Sequence, residues 1–120
     1  MIDTSEAASL AFQVGGEVLE LFVNELQEVE ADDTLARLDQ RDYLANKNSA
    51  LEQFNNADAE YKRAVALYKE DAISKSILEQ RKSQRQINKL ALDSAEKALS
   101  DTVLKSPISG VVAAVYIKKK

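Results

Sequence analysis

Hydrophobic positions change rhythm twice along this 120-residue chain. Near the start they alternate. Leu10, Phe12 and Val14 are followed by the β-rich run Val18-Leu19-Glu20-Leu21-Phe22-Val23 and by a short third piece, Leu35-Ala36-Arg37-Leu38. A period of two predicts strands near 10–14, 17–23 and 34–38. Near the end the β signal returns in Thr102-Val103-Leu104 and in the run from Gly110 to Ile117. These predict strands near 102–105 and 110–116, with the turn chemistry of Ser106-Pro107-Ile108-Ser109-Gly110 between them. The two ends also resemble each other. With Gly16 laid on Gly110, Val14 falls on Ile108, Val18 on Val112, Leu21 on Val115, Phe22 on Tyr116 and Val23 on Ile117. Neither end carries enough apolar surface for an independent sheet, so the ends are expected to meet in one small β-domain.

Between them the period lengthens. No glycine or proline lies between Gly16 and Pro107, which favours long helix. Asp39 is placed to N-cap the first helix. Leu51, Phe54, Tyr61, Val65 and Tyr68 then stand 3, 7, 4 and 3 residues apart, a coiled-coil stripe with one slot missed, and Leu44 extends it back by a heptad. Asp58 occupies the missed slot and Ala57 beside it fills the gap. Asp58 is expected to lean out to solvent, with a register-setting role as the alternative. About thirty residues give an arm of roughly 45 Å.

Glu70-Asp71-Ala72-Ile73 breaks the stripe. Ser74 or Ser76 is placed to cap the second helix, and Ser76-Ile77-Leu78-Glu79 fits a capping box. That helix should run to about Ser100. Its seam reads Ile77, Gln80, Gln84, Ile87, Ala91, Ser94 and Ala98, flanked by Leu78, Leu92 and Leu99. Glutamines in the seam predict weak pairing near the tip. The resulting order is β–αα–β.

Composition narrows the function. A net charge of −4 argues against nucleic acid as a partner. Without Cys, His or Trp, the chain has no disulfides, no thiolate metal sites and no imidazole base. Glu28, Glu30, Asp32 and Asp33 lack the ligand spacing of a calcium loop, so no metal is expected there. No two carboxylates are set in an arguable pocket, and no catalytic residue is assigned. No apolar run approaches the roughly 18 residues of a membrane span. The polar start Met1–Glu6 does not read as a signal peptide, and Lys118-Lys119-Lys120 reads as a solvated tail.

Leu10-Ala11-Phe12-Gln13-Val14-Gly15-Gly16-Glu17-Val18 with Leu35-Ala36-Arg37-Leu38-Asp39 resembles the first half of a split lipoyl-like domain. Asp101-Thr102-Val103-Leu104-Lys105-Ser106-Pro107-Ile108-Ser109-Gly110-Val111-Val112 resembles its second half. With the hairpin, almost the whole chain resembles the membrane fusion proteins, the haemolysin-secretion-D-like periplasmic adaptors of bacterial efflux and secretion pumps. The resemblance implies an α+β fold: a small split lipoyl-like β-sandwich or barrel with an inserted antiparallel two-helix coiled-coil hairpin. The β-domain would take residues 8–38 and 101–117, and the hairpin 39–100 with its tip near 70–74.

The family's tip pattern, Arg-x3-Leu-x6-Ser, matches Arg63, Leu67 and Ser74, beside the turn at Ala72-Ile73. The resemblance therefore implies that Arg63, Leu67, Ala72, Ile73 and Ser74 meet a TolC-type outer-membrane channel. Residues Arg63 and Leu67 lie four apart on one helix face, about 130–180° from the expected seam. On position alone, Leu67 could equally be an exposed leucine, and Arg63 a partner of Glu60. The family further implies a homo-oligomeric ring, an inner-membrane transporter partner, and a periplasmic protein anchored to the inner membrane when intact, of which this soluble stretch would be a fragment. Two positions depart from the pattern: Leu26 and Asp32 stand where the family has turn glycines. No lysine sits in a carrier motif, so no cofactor is expected. A different class of function, a coiled-coil scaffold or a holdase-type chaperone arm, would show apolar residues spread around the tip. Here Leu67, Ile73 and Ile77 are set among Lys69, Glu70, Asp71 and Lys75.

Overall fold

The computed structural model describes residues 9–116. The readings of Met1–Glu6 and of Ile117 to Lys120 fall outside them. Element order is β1 (Val18–Leu21), β2 (Glu28–Val29), β3 (Thr34–Leu38), α1 (Arg41–Lys69), α2 (Lys75–Ser100), β4 (Val103–Lys105) and β5 (Gly110–Val111). Two compact units result, one from residues 9–41 and 98–116, the other Asp42–Lys97.

In the β-unit, the two ends of the chain pair directly. One sheet has the order β1-β3-β4 and the other is the pair β2-β5; all pairings are antiparallel. Each sheet thus joins a strand from before the helices to one from after them. Backbone bonds extend both ladders: Ser106 N–H donates to the Asp33 carbonyl at 2.9 Å, and Val112 N–H to the Gln27 carbonyl at 2.9 Å. Val23, Val29 and Leu35 form the buried centre, with Leu21, Leu104 and Val112 packed on it. Ala36 and Leu38 are buried as well, at the positions of β3 that alternate with Leu35. Buried Thr102 is fully partnered: its hydroxyl donates to the Leu99 carbonyl at 2.6 Å and accepts from Gln40 Nε2 at 2.8 Å. A buried hydroxyl is tolerable only with such partners.

Three strand expectations change. Residues 9–17 form no strand, although Leu10, Phe12 and Val14 alternate. Alternation supplies a face but not a ladder: the backbone bond from Asp39 N–H to the Glu17 carbonyl, at 2.7 Å, reaches only the end of this stretch. Among the described residues, the final run is strand only at Gly110–Val111. Glu28–Val29, hidden in an acidic stretch, is strand β2. The two glycines matched in the end-to-end repeat open different pairings. Gly16 precedes β1, which pairs with β3, whereas Gly110 opens β5, which pairs with β2. Gly16 has φ 152°, and a Cβ there would meet Leu38 only at 3.5 Å. Backbone conformation, rather than crowding, is what calls for glycine.

Two turns in this unit are built alike. Gln27 N–H donates to the Asn24 carbonyl (3.2 Å) and Asp33 N–H to the Glu30 carbonyl (3.1 Å). In each, the third residue has positive φ: Leu26 at 66° and Asp32 at 70°. These are the two positions where the family pattern has glycine, and the left-handed geometry persists without it. In each, the fourth side chain also accepts from the first N–H: Gln27 Oε1 from Asn24 at 3.0 Å, and Asp33 Oδ2 from Glu30 at 2.9 Å.

The helical unit obeys the heptad with shifted members. Asp39 Oδ1 accepts from Arg41 N–H at 3.0 Å, an N-cap bond. On α1, Ala57 and Ala64 are buried, and Tyr43, Phe54, Tyr61 and Val65 are half-buried. Leu44 is 47% exposed, so Tyr43 takes the slot expected for it. On α2 the seam is turned by one residue, about 100°. Ile77 and Ile87 are 40% and 59% exposed, and Gln80, Gln84, Ala91 and Ser94 are exposed too. The inward column is Leu78, Arg85, Leu92 and Leu99, spaced by sevens, with Leu92 buried and the others half-buried. An inward arginine is what the polarity pattern could not anticipate. Its stem packs while its head finds a partner across the hairpin.

Candidate functional site

The tip is the connection Glu70–Ser74, and local hydrogen bonds close it tightly. Ala72 N–H donates to the Leu67 carbonyl at 2.9 Å and Asp71 N–H to the Tyr68 carbonyl at 3.0 Å. These are the two bonds of a Schellman motif, which satisfies carbonyls that the end of α1 would leave open. Asp71 takes the left-handed position at φ 56°, where glycine is usual. On the far side, Ser74 Oγ accepts from Ile77 N–H at 3.2 Å, so Ser74 is the N-cap of α2. Ser76 lies inside the helix, and the Ser76–Glu79 capping box is not formed.

Arg63 is exposed and pairs with Glu60 one turn earlier. Leu67, one turn further on, is 36% exposed. Ala72 is exposed and Ile73 half-buried. With the seam taken through Phe54, Ala57, Tyr61, Ala64 and Val65, Arg63 and Leu67 point about 150° and 110° away from it, at 100° per residue. Two further apolar side chains are exposed at this end, although periodicity places both in the seam. Tyr68 is 38% and Ile77 40% exposed. The signal that could have found Ile77 is the spacing Leu78-Arg85-Leu92-Leu99, which moves the α2 seam one residue on and leaves Ile77 outside it. Tip chemistry is thus contact chemistry: a cation, small and branched apolar groups, and a capping hydroxyl.

Elsewhere, a cleft of about 590 Å³ opens in the β-unit beside Phe22, Val23, Val29 and Val103, with Arg37 and Lys105 among its polar lining. Arg37 pairs with Glu20. In the acidic turn, the Asp33 carboxylate is engaged by a backbone N–H. Among the described residues, no group of three or more acidic side chains could hold a metal ion, and no helix is long and apolar enough to cross a membrane.

Against known proteins, a family model described as RND MFP, barrel-sandwich hybrid domain, matches residues 6–119. No curated protein matches the sequence. Among solved structures, a putative efflux transporter from Bacteroides eggerthii is 27% identical, with a TM-score of 0.92 over 95% of this chain and 35% of its own. A MacA-MexA chimeric protein containing the Pseudomonas aeruginosa MexA alpha-hairpin domain is also 27% identical, with a TM-score of 0.87 over 93% of this chain and 41% of its own. The periplasmic adaptor protein EmrA shares the fold at 15% identity and a TM-score of 0.56, over 93% of this chain and 67% of its own. The chain therefore spans well under half of the first two structures it resembles.

Proposed function

The chain belongs to the RND membrane fusion proteins, as their barrel-sandwich hybrid domain, and from that premise we propose that it serves a tripartite multidrug efflux pump through its hairpin tip. The family consists of periplasmic adaptors that bridge inner-membrane transporters and outer-membrane channels. They are not enzymes, and neither is this chain. In the proposed arrangement, several copies form a ring and the intact protein is anchored to the inner membrane. The hairpins dock end-on to a TolC-type channel. Arg63 donates charge-assisted hydrogen bonds, Leu67 fills an apolar hole, Ala72 and Ile73 present the turn, and Ser74 adds a polar contact while still capping α2.

The observation that carries this reading is the placement of Arg63 and Leu67. Both lie on the face of α1 turned away from the seam, beside a turn held closed by its own backbone. Neither is needed to hold the hairpin together, and both are available to a partner. Leu67→Glu and Arg63→Asp should therefore leave folding nearly unchanged, within about 0.5 kcal/mol as at other surface sites. Each should still abolish drug export by the intact protein, since a charge buried in an apolar hole, or a reversed donor, costs several kcal/mol at an interface centre. The measurement is growth under an exported drug, with protein level checked by blot. Normal levels and normal export in both variants would remove the tip from the docking site.

A further inference from the structure

Near its tip the hairpin has little apolar material to hold it closed. Of residues 75–84 on α2, only Leu78 is less than exposed. The next inward position is Arg85, and it is bound to α1. Its Nε donates to Asp58 Oδ1 at 2.6 Å. Lys62 Nζ lies 3.0 Å from Asp58 Oδ2, so both carboxylate oxygens are engaged. The guanidinium carbon stands 5.2 Å from the Phe54 ring centroid and 6.0 Å from that of Tyr61. One arginine thus combines an ion pair, a directional hydrogen bond and cation–π contacts. The Asp58 side chain is only 20% exposed. It does not lean out to solvent; it is partnered across the hairpin.

The arrangement also specifies one register. Among the buried and half-buried positions of α1, Asp58 is the single carboxylate. On α2 the half-buried cations are Arg85 and Lys89, and Lys89 is bonded to Asp93 of its own helix at 2.7 Å. A slip of one heptad would set Arg85 against Leu51 or Val65, leaving the guanidinium unpaired in the seam and Asp58 with Lys62 of its own helix alone. Polar groups in coiled-coil seams fix register in this way, because wrong pairings cost more than the right one gains.

We propose that Asp58 and Arg85 form a clasp that sets α2 against α1 and thereby positions the tip. Arg85 is then a positioning residue for docking, acting through the placement of Ser74 and Ile77 relative to Arg63 and Leu67. The functional consequence rests on the tip reading above; the effect on hairpin geometry does not.

The chain has no cysteine, so a label pair can be placed cleanly at two exposed positions, Ala59→Cys and Ser83→Cys. Pulsed electron paramagnetic resonance on this full chain should give one narrow distance distribution. Asp58→Arg or Arg85→Asp should broaden it, and the double charge swap should narrow it again. A narrow distribution in the single reversals, or no recovery in the swap, overturns the clasp. If a reversal unfolds the hairpin, Arg85→Leu asks the same question. It completes the leucine column, so helicity by circular dichroism is kept, yet the distribution should broaden. A narrow distribution with Arg85→Leu likewise overturns the proposal. In the intact protein, drug export should fall in the single reversals and return in the swap. Broadened distances with full export would leave the Asp58–Arg85 pair setting the hairpin geometry but overturn Arg85 as a positioning residue for docking, whereas the tip reading stands or falls on the Arg63 and Leu67 variants.

Discussion

The two units of this chain bury their apolar residues in different ways. In the β-unit, Leu38 is 2% exposed and Ala36 fully buried, and Val23, Val29 and Leu35 are buried too. The contacts join residues tens of positions apart, such as Thr34 with Lys105. In Asp42–Lys97 the buried side chains are Ala57, Ala64 and Leu92. Its cohesion comes from helix formation, from half-buried rings and from a charged pair. A small sheet that closes on itself needs a dry centre. A long hairpin needs correct facing along its length, and one charged pair can supply that. The difference predicts that the β-unit is broken by removing volume and the hairpin by removing direction.

The largest effect should come from Leu38→Ala. Its side chain is among the most completely buried, and truncation there should cost about 4 kcal/mol. Leu92→Ala in the hairpin should cost less, about 2.5 kcal/mol, because the other buried side chains of that unit are only Ala57 and Ala64 and the rest of its seam is partly open to water. Amide hydrogen exchange resolves the comparison: Leu38→Ala should release protection in the strands, Leu92→Ala only in the helices. If both variants loosened both units equally, the units would unfold as one and the comparison would fail.

Smaller, and opposite in sign, are the left-handed positions. Leu26→Gly, Asp32→Gly and Asp71→Gly each relieve a backbone conformation that L-residues adopt at a cost, partly offset by the greater freedom of glycine when unfolded. Each should stabilise by about 0.5–1 kcal/mol in thermal unfolding, the first two in the β-unit and the third at the tip. A loss at Leu26 would mean that its exposed side chain contributes something the isolated fold does not reveal.

Much of this was legible in the sequence. Breaker-free residues between Gly16 and Pro107 gave the helices, and the returning β signal gave the meeting of the ends. Asp39 and Ser74 were readable as caps from residue type and place. What was illegible shares one cause. Strand β2 is two residues long and lies in an acidic turn, so no period exists to detect. Residues 10–14 have the period without a strand partner among the described residues. The α2 seam was misplaced by one residue because polarity alone rejects Arg85 from an inward slot, and only the presence of Asp58 on the opposite helix makes it tolerable. The tip suffered from the same error: once the seam moves, Ile77 leaves it and joins the exposed end. Pairing between distant residues is information that neither residue carries by itself.

The smallest expected effect concerns acid, and it separates the units by the reach of their ion pairs. Asp39 has its carboxyl held below the ordinary 3.8 by hydrogen bonds from Arg41, its side chain first and its backbone second. Asp58 is held below the same value by hydrogen bonds from Arg85 first and Lys62 second. A carboxyl with a folded pKa below its unfolded one contributes stability that is fully present above the unfolded value. That contribution is lost as pH falls through the folded value. Both aspartates should therefore matter only below about pH 4, but not equally. Arg41 is two residues from Asp39 and remains its neighbour when the chain unfolds, so the two pKa values of Asp39 stay close and linkage is weak. Arg85 is 27 positions from Asp58 and is brought to it only by folding. Acid should thus loosen the hairpin before the β-unit. In hydrogen exchange followed from pH 6 down to pH 3, corrected for intrinsic rates, protection of the helical amides near Asp58 should decline relative to that of the strands. Asp58→Asn should start from lower hairpin protection and show a flatter decline, whereas Asp39→Asn should track the parent. An Asp58→Asn chain whose hairpin remains as acid-sensitive as the parent's would place the sensitivity in other carboxylates and leave the clasp without a pH signature.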